Sequence, residues 1–284
     1  MLPFAMSPVK SARQSSRKYG VLKPMRLFSL FGLLLFSVVL SAFEAKAEDV
    51  VPAGPPAALL EAGDLIWPKQ PHTVIAYNLK PGNSEQIAAR WRQEKDTYLN
   101  QLRAKQELPQ KERERYKLLK NMTYKRFASY YLEDVPLGEP TQFGAGFSVG
   151  HVGIVQIVEG TPYVVEALWG PGVRRISYSD WLQEHSGDLF WLARLKDVSA
   201  EKRALVAKKA AEQIQKPYAF FNFDLAEVSG FYCSKLAWLS ILQGAGFAPD
   251  DDPNPERLLW YSPKQLMKSK HVMFLVNPGD YGSK

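Results

Sequence analysis

The sequence predicts an α+β fold, an antiparallel sheet with helices segregated to its flanks. Three observations carry this. Short apolar strand-like runs outnumber the βαβ units that a parallel sheet needs. Two of them, HVGIVQIV at 151–158 and TPYVVEAL at 161–168, are separated only by Glu159-Gly160, the length of a tight hairpin loop. Helical patterning falls in separate blocks, at 83–133, 199–215 and 233–243. A hydrophobic content of 46% and an aromatic content of 12% over 284 residues suffice for a packed core and exclude a chain disordered as a whole.

The first 47 residues differ in kind. Leu27 to Phe43 is an uncharged apolar run of 17 residues. Arg17, Lys18, Lys23 and Arg26 precede it, and Ala45-Lys46-Ala47 follows with the small-x-small form of a cleavage site. These features describe a secretory signal peptide cut after Ala47. The alternative is an uncleaved anchor that keeps the protein near a membrane, although the run is short for a span of about 20 residues. Met25 is a second candidate start. The chain then divides into a signal peptide at 1–47, a linker at 48–60 and one folded domain at 61–284.

Export changes the charge argument. The whole chain has net charge +7, but 1–47 holds seven Lys/Arg and one acid, Glu44. Without them 29 bases face 28 acids, a net charge of about +1. Nucleic-acid binding needs a basic excess, and the mature chain has none.

The elements follow in order. VPAGPPAA at 51–58 reads as linker, and GDLIW at 63–67 as a first strand bounded by Pro68. The charged block 83–133 reads as an insertion of two helices broken near Pro109. Leu99, Leu102, Tyr116, Leu119, Met122, Phe127 and Tyr131 give its approximate helical recurrence. It either stands out from the core or lies over it. After the hairpin come a strand GVRRIS at 172–177, a short helix at 178–185 and a strand at 189–195. A helix spans 199–215 with Ser199 as cap. Another runs from Cys233 to Gln243, closed by Gly244. A helix at 262–269 and a strand HVMFLV at 271–276 finish the fold.

Cys233, in FYCSKLAW, is the only cysteine. One cysteine cannot staple its own exported chain, and no lipid-attachment cysteine follows the apolar run. The thiol is therefore a small buried hydrophobe or a reactive group. Its place at the start of an apolar helix favours reactivity. Helix dipole and free N–H groups there stabilise a thiolate and suit a developing oxyanion.

A thiol nucleophile needs a base, and there are four histidines: His72, His151, His185 and His271. His185 ends a polar helix, where a surface role fits, while His72 and His271 flank strands. His151 opens an apolar strand and has a partner by register. With a two-residue loop, Val158 pairs with Thr161, His151 falls opposite Leu168, and Glu166 shares its face. Diagonal neighbours lie roughly 7–8 Å apart at the backbone, within reach of long side chains. A carboxylate there would hold the imidazole tautomer and orientation. An odd-length loop would turn Glu166 to the other face. A Glu inside VVEAL otherwise lacks a reason, because an unpaired buried carboxylate is costly.

Five stretches in this order carry a resemblance: GDLIW at 63–67, GHVGIV at 150–155, VVEA at 164–167 with GV at 172–173, KPYAFF at 216–221 and YCSKLAW at 232–238. They resemble the circularly permuted papain-fold hydrolases of the bacterial YiiX/YaeF type. That group is related to NlpC-type cell-wall endopeptidases and, more distantly, to lecithin retinol acyltransferase. In it the histidine strand precedes the cysteine helix, as here. The resemblance implies Cys233 as nucleophile, His151 as base and Glu166 as third member, with Tyr232, Ser234 and the Cys233 amide assisting at the oxyanion. It implies an envelope substrate, a peptide or an acyl-lipid, and a periplasmic or cell-envelope location. There are departures: Gly150 stands where the family often has Ser, Lys235 where it usually has Glu, and Ala219 where it has an acid.

The residues call for no cofactor and no metal: CxxC, HExxH and clustered His/Asp spacings are absent from the sequence. Gly144-Ala145-Gly146 precedes a strand and does not make a nucleotide loop. The competing functions are a non-catalytic exported binding module on the same fold and a lipid acyltransferase using the same thioester.

Overall fold

The computed structural model describes residues 54–71, 84–124, 126–127 and 150–281. The expected signal peptide, residues 48–53 of the linker, His72, Tyr131 and Gly144–Gly146 lie outside them. Six strands form one antiparallel sheet: β1 Leu65–Lys69, β2 Gly153–Val158, β3 Thr161–Leu168, β4 Gly172–Ser177, β5 Leu189–Leu195 and β6 Val272–Val276. Their order is β4-β3-β2-β1-β5-β6. The helices are α1 Ser84–Arg103, α2 Gln110–Lys120, α3 Tyr178–Glu184, α4 Ala200–Ala211, α5 Cys233–Ala245 and α6 Pro263–Met267.

The hairpin has the expected register, with Val158 opposite Thr161 and Ile154 opposite Val165. Glu159 (φ 49°) and Gly160 (φ 78°) both take left-handed conformations, which matches a two-residue loop to the strand twist. β2 begins at Gly153, two residues later than the pattern predicts. The His151 N–H bonds the Tyr281 hydroxyl at 3.1 Å instead of a neighbouring strand. Pro68 sits inside β1 and does not end it. β2 pairs with β1 at Leu65 and Ile66 and not at Pro68, so the ladder with β2 does not need the missing donor.

Alternation along the strands separates two apolar layers. Leu65, Trp67, Ile154, Val165, Ala167, Trp191 and Ala193 join the layer that contains α4 and α5 residues. Ile66, Val155, Val164, Phe190 and Leu192 face the other way and pack with Tyr178 and Trp181 of α3.

Ser199 caps α4 as expected, accepting from the Lys202 N–H. The helix stops at Ala211, short of Gln215, and Gln215 N–H instead bonds Val173 O at 2.8 Å. α5 runs past the expected stop at Gly244 and closes at Gly246 in the left-handed conformation (φ 89°). Gly244 has a packing role: a Cβ there would lie 2.4 Å from the Val206 backbone nitrogen of α4. Ser262 caps α6 in a capping box with Gln265.

The helical insertion lies over the core. Trp91 stacks on Phe127 at 5.1 Å, and Tyr98 meets Phe221 and Phe223 at 5.9 and 5.3 Å. Buried Arg115 donates to Leu258 O at 3.0 Å, to Arg257 O, and to the Tyr98 hydroxyl at 2.9 Å. α1 and α2 are thereby fastened to the loops at 217–223 and 256–260. The residues 47–284 form one unit, so the block is no separate domain.

Candidate active site

Cys233 opens α5 because the chain ahead of it is held extended. Phe231 N–H bonds Pro217 O and Ala219 N–H bonds Phe231 O, both at 3.0 Å, which ties FYC to the KPYAFF segment. Tyr232 occupies the N-cap with no side-chain cap bond. The N–H groups of the first turn are thus left for a ligand oxygen.

His151 stands just past the end of β2, its side chain 18% exposed. Its Nε2 lies 2.7 Å from Glu166 Oε2. Cys233 is the other group that acts on the ring, raising its affinity for a proton. With Nε2 committed to the carboxylate, Nδ1 is the ring nitrogen left for the thiol. Burial disfavours the imidazolium, but hydrogen bonds to Cys233 and Glu166, with the charges of those groups, outweigh it and raise His151 to about 10.

Glu166 is fully buried. Its Oε1 accepts from Arg174 Nε at 2.9 Å and Nη2 at 2.7 Å. Its Oε2 accepts from Trp181 Nε1 at 2.9 Å as well as from His151. Four donors fill the capacity of one carboxylate. Burial alone would raise this acid; the bond to and charge of His151, then Trp181 and Arg174, reverse that and hold it near 2. Arg174 is itself anchored by Glu184 of α3.

The two halves of the site approach from different sides of the sheet. Glu166 points into the layer under α3, while α5 packs on the opposite layer. His151, at the strand end, spans the gap. Tyr281 steadies it: its hydroxyl accepts the His151 N–H at 3.1 Å and donates to Pro68 O at 3.3 Å.

The other expected residues fall elsewhere. Ser234 Oγ donates to Tyr261 O at 2.6 Å, and the Tyr232 hydroxyl accepts Tyr261 N–H at 3.3 Å. Both hydroxyls hold the 261 segment. His185, expected on the surface, lies face to face with His151 at 6.5 Å and pairs with Asp188 at 2.8 Å. His271 pairs with Asp251 at 2.9 Å. Lys235 is fully buried with Nζ 3.9 Å from Glu227 and 5.3 Å from the Phe231 ring centre. Burial lowers it to about 8 against the opposing pull of Glu227.

Arg174, Trp181 and Tyr281 escaped the sequence reading. The four-residue step from Leu168 to Gly172 carried a signal for Arg174: the β3–β4 register that follows sets it opposite Glu166. Trp181 and Tyr281 lie on other elements and left no local sign.

Beside Cys233 is a narrow pocket lined by Tyr218, Phe220, Tyr232, Trp260, Tyr261 and Pro263, with an open volume of about 10 Å³. That is close to one water-sized sphere. Tyr218 and Phe220 also line a wider cleft of about 840 Å³ between α1 and the 218–229 segment.

Residues 140–248 match a family described as permuted papain-like amidase enzyme, YaeF/YiiX, C92 family. The resemblance read in the sequence and the α+β papain-like class are borne out over that segment, and the family it matches supports a hydrolase of the cysteine type. A solved structure described as metalloprotein yiiX from Escherichia coli O157:H7 is 20% identical with a TM-score of 0.37, covering 44% of this chain and 81% of that chain. No curated protein matches the chain.

Proposed function

We propose that the chain is an exported cysteine hydrolase that cleaves an amide or related acyl bond through an acyl-thioester on Cys233. The observation that carries this is the chain of contacts Cys233–His151–Glu166, closed behind by Arg174 and Trp181. It joins a thiol at a helix start, an imidazole and an ionised carboxylate in nucleophile, base and orienting positions.

The steps follow from those positions. The Cys233 thiolate adds to the substrate carbonyl carbon, and the C–S bond forms as the carbonyl electron pair moves to oxygen. Helix-start N–H groups receive that oxygen. As the intermediate collapses, the C–N bond breaks and the His151 imidazolium gives its proton to the leaving nitrogen. Water then attacks the thioester carbon while His151 takes its proton. The C–S bond breaks, releasing a carboxylic acid and restoring the thiol. Glu166 keeps its charge throughout and holds the ring. Cell-wall peptides and lipid-linked acyl groups both contain a bond of this class, and the secretory character of 1–47 supports action in the envelope.

The test is covalent. Mature protein is incubated with envelope extract, and the intact mass is read after acid quenching. An adduct localised to Cys233 and absent from Cys233→Ala is expected. Iodoacetamide should label Cys233 in the folded protein near pH 7, more slowly in His151→Ala. A thiol that reacts only after unfolding and never carries an acyl group would favour the binding-module reading.

A further inference from the structure

His185 takes no part in the steps above, yet it packs on both rings that hold Glu166. Its imidazole is nearly parallel to that of His151, 16° between planes and 6.5 Å between centres. It meets the Trp181 ring at 4.5 Å. Those two rings bond the same carboxylate oxygen, Glu166 Oε2, at 2.7 and 2.9 Å. His185 is the neighbour that they share.

The place of the His185 ring is fixed from both ends. The residue is the C-cap of α3, and its N–H bonds Trp181 O at 3.1 Å. Its carbonyl accepts the Asp188 N–H at 3.0 Å, and its Nδ1 lies 2.8 Å from Asp188 Oδ2. Asp188 is buried, so this is not a loose surface pair. A bond at one ring nitrogen also sets the direction of the other. Glu166 and Trp181 have no exposed surface, whereas the side chains of His151 and His185 keep 18% and 21% of theirs. The two imidazoles form the outer layer over a buried carboxylate.

We infer that His185 is a positioning residue: its ring closes the water side of the Glu166–His151 bond and holds His151 in the plane that offers Nδ1 to Cys233. The inference rests on the Cys233–His151–Glu166 reading and adds a fourth side chain to it. Charge-assisted bonds gain strength where water is excluded. With the cover in place His151 holds its proton firmly, and the thiolate–imidazolium pair is favoured. With water beside Oε2 that hold slackens, and the neutral thiol–imidazole pair gains. The charged groups around the two rings are Glu166, backed by Arg174 and Glu184, together with Asp188 and Cys233. Tyr281 stays neutral, because burial holds its phenol above the ordinary value.

The experiment is the rate of Cys233 labelling by iodoacetamide in the folded mature protein, from pH 5 to 9. His185→Ala should label about tenfold more slowly at pH 6.5, where the thiolate depends on the imidazolium. The difference should narrow at pH 9, where hydroxide removes the proton unaided. The double variant His185→Phe with Asp188→Asn keeps a ring in place and leaves no carboxylate unpaired. It should hold the pH 6.5 rate within about threefold of the unaltered protein. If it falls as far as His185→Ala, the effect lies in the charge of His185, and the covering role is overturned. An unchanged profile in His185→Ala, with only the melting temperature lowered, overturns it as well. If the variants do not fold, proton NMR of the unaltered protein in water at pH 6 decides. The His151 Nε2 proton, assigned by its loss in His151→Ala, should give a persistent downfield resonance, and its absence through exchange with water would contradict the cover. Failure of the nucleophile reading looks different: Cys233 of the unaltered protein would then label only after unfolding.

Discussion

Arg174 stands directly opposite Glu166 across β3 and β4 and directs both Nε and Nη2 at the same carboxylate oxygen, Oε1. The other oxygen is thereby left to His151 and Trp181. The division is geometric: a planar fork fills one side of the carboxylate and fixes the direction of the other. Arg174 acts on the histidine only through Glu166, which makes it a positioning residue.

Arg174→Lys is the sharper test of that role. Lysine keeps a charge but is a single point donor and cannot reproduce the fork. Turnover should fall roughly tenfold with KM little changed, because the loss is in orientation of the base and not in substrate contacts. Arg174→Met should also destabilise the fold, by about 3 kcal/mol, the low end for breaking a buried pair, since Glu166 keeps two partners. Steady-state kinetics and urea midpoints measured together check both. An unchanged turnover number in a folded Arg174→Lys protein would remove the positioning role.

Glu166→Gln should lower turnover by on the order of ten to a thousandfold. All four groups around Glu166 are donors, so the new amide must turn its NH2 against one of them. A lower melting temperature should accompany the lost activity. Activity per folded molecule separates the effects, and full specific activity in the folded fraction would reduce the site to Cys233 and His151. Added to Cys233→Ala, the change should cost little further turnover, because the three groups act as a unit.

Stability should depend on pH through the same pair. His151 is raised from 6.5 to about 10, so its contribution is complete below pH 6.5 and fades as pH rises towards 10. Glu166 is depressed from 4.5 to about 2, so its contribution is complete above pH 4.5 and fades as pH falls towards 2. The pair therefore stabilises most between pH 4.5 and 6.5. Urea midpoints across pH 3–9, for the unaltered protein and Glu166→Gln, provide a difference curve. The His185–Asp188 pair is present in both proteins and cancels. A difference that stays flat from pH 6.5 to 9 would contradict a raised histidine.

Tyr281→Phe removes one hydroxyl and keeps the ring against Trp191, 4.9 Å away. It frees the His151 N–H and Pro68 O from their shared partner. The expected result is a stability loss of about 1 kcal/mol. Turnover should fall roughly tenfold with KM held, since small misplacements of a base are expensive. If kcat stays level while only the melting temperature drops, the tyrosine is structural alone.

Much of the strand pattern was legible because each cue is local. Glu159-Gly160 is short enough to force a two-residue turn, and the turn places His151 and Glu166 on one side. The expected end at Gly244 failed because that glycine serves the approach of α4, a contact between elements that helix periodicity does not contain. The insertion was read as two helices, but its fastening by Arg115 to carbonyls 142 and 143 residues away was not visible.

By itself, then, the sequence determined the elements, the hairpin register, the cysteine at a helix start and the pairing of His151 with Glu166. Each depends on backbone geometry over a few residues. Only the tertiary structure decided that Glu166 belongs to the α3 layer and Cys233 to the α5 layer, with His151 between them. It alone brought Trp181 to the carboxylate and Tyr281 to the histidine backbone, 130 residues away. The physical reason is that period and turn length act along the chain, whereas the layer a side chain joins is set by burying all the apolar faces at once.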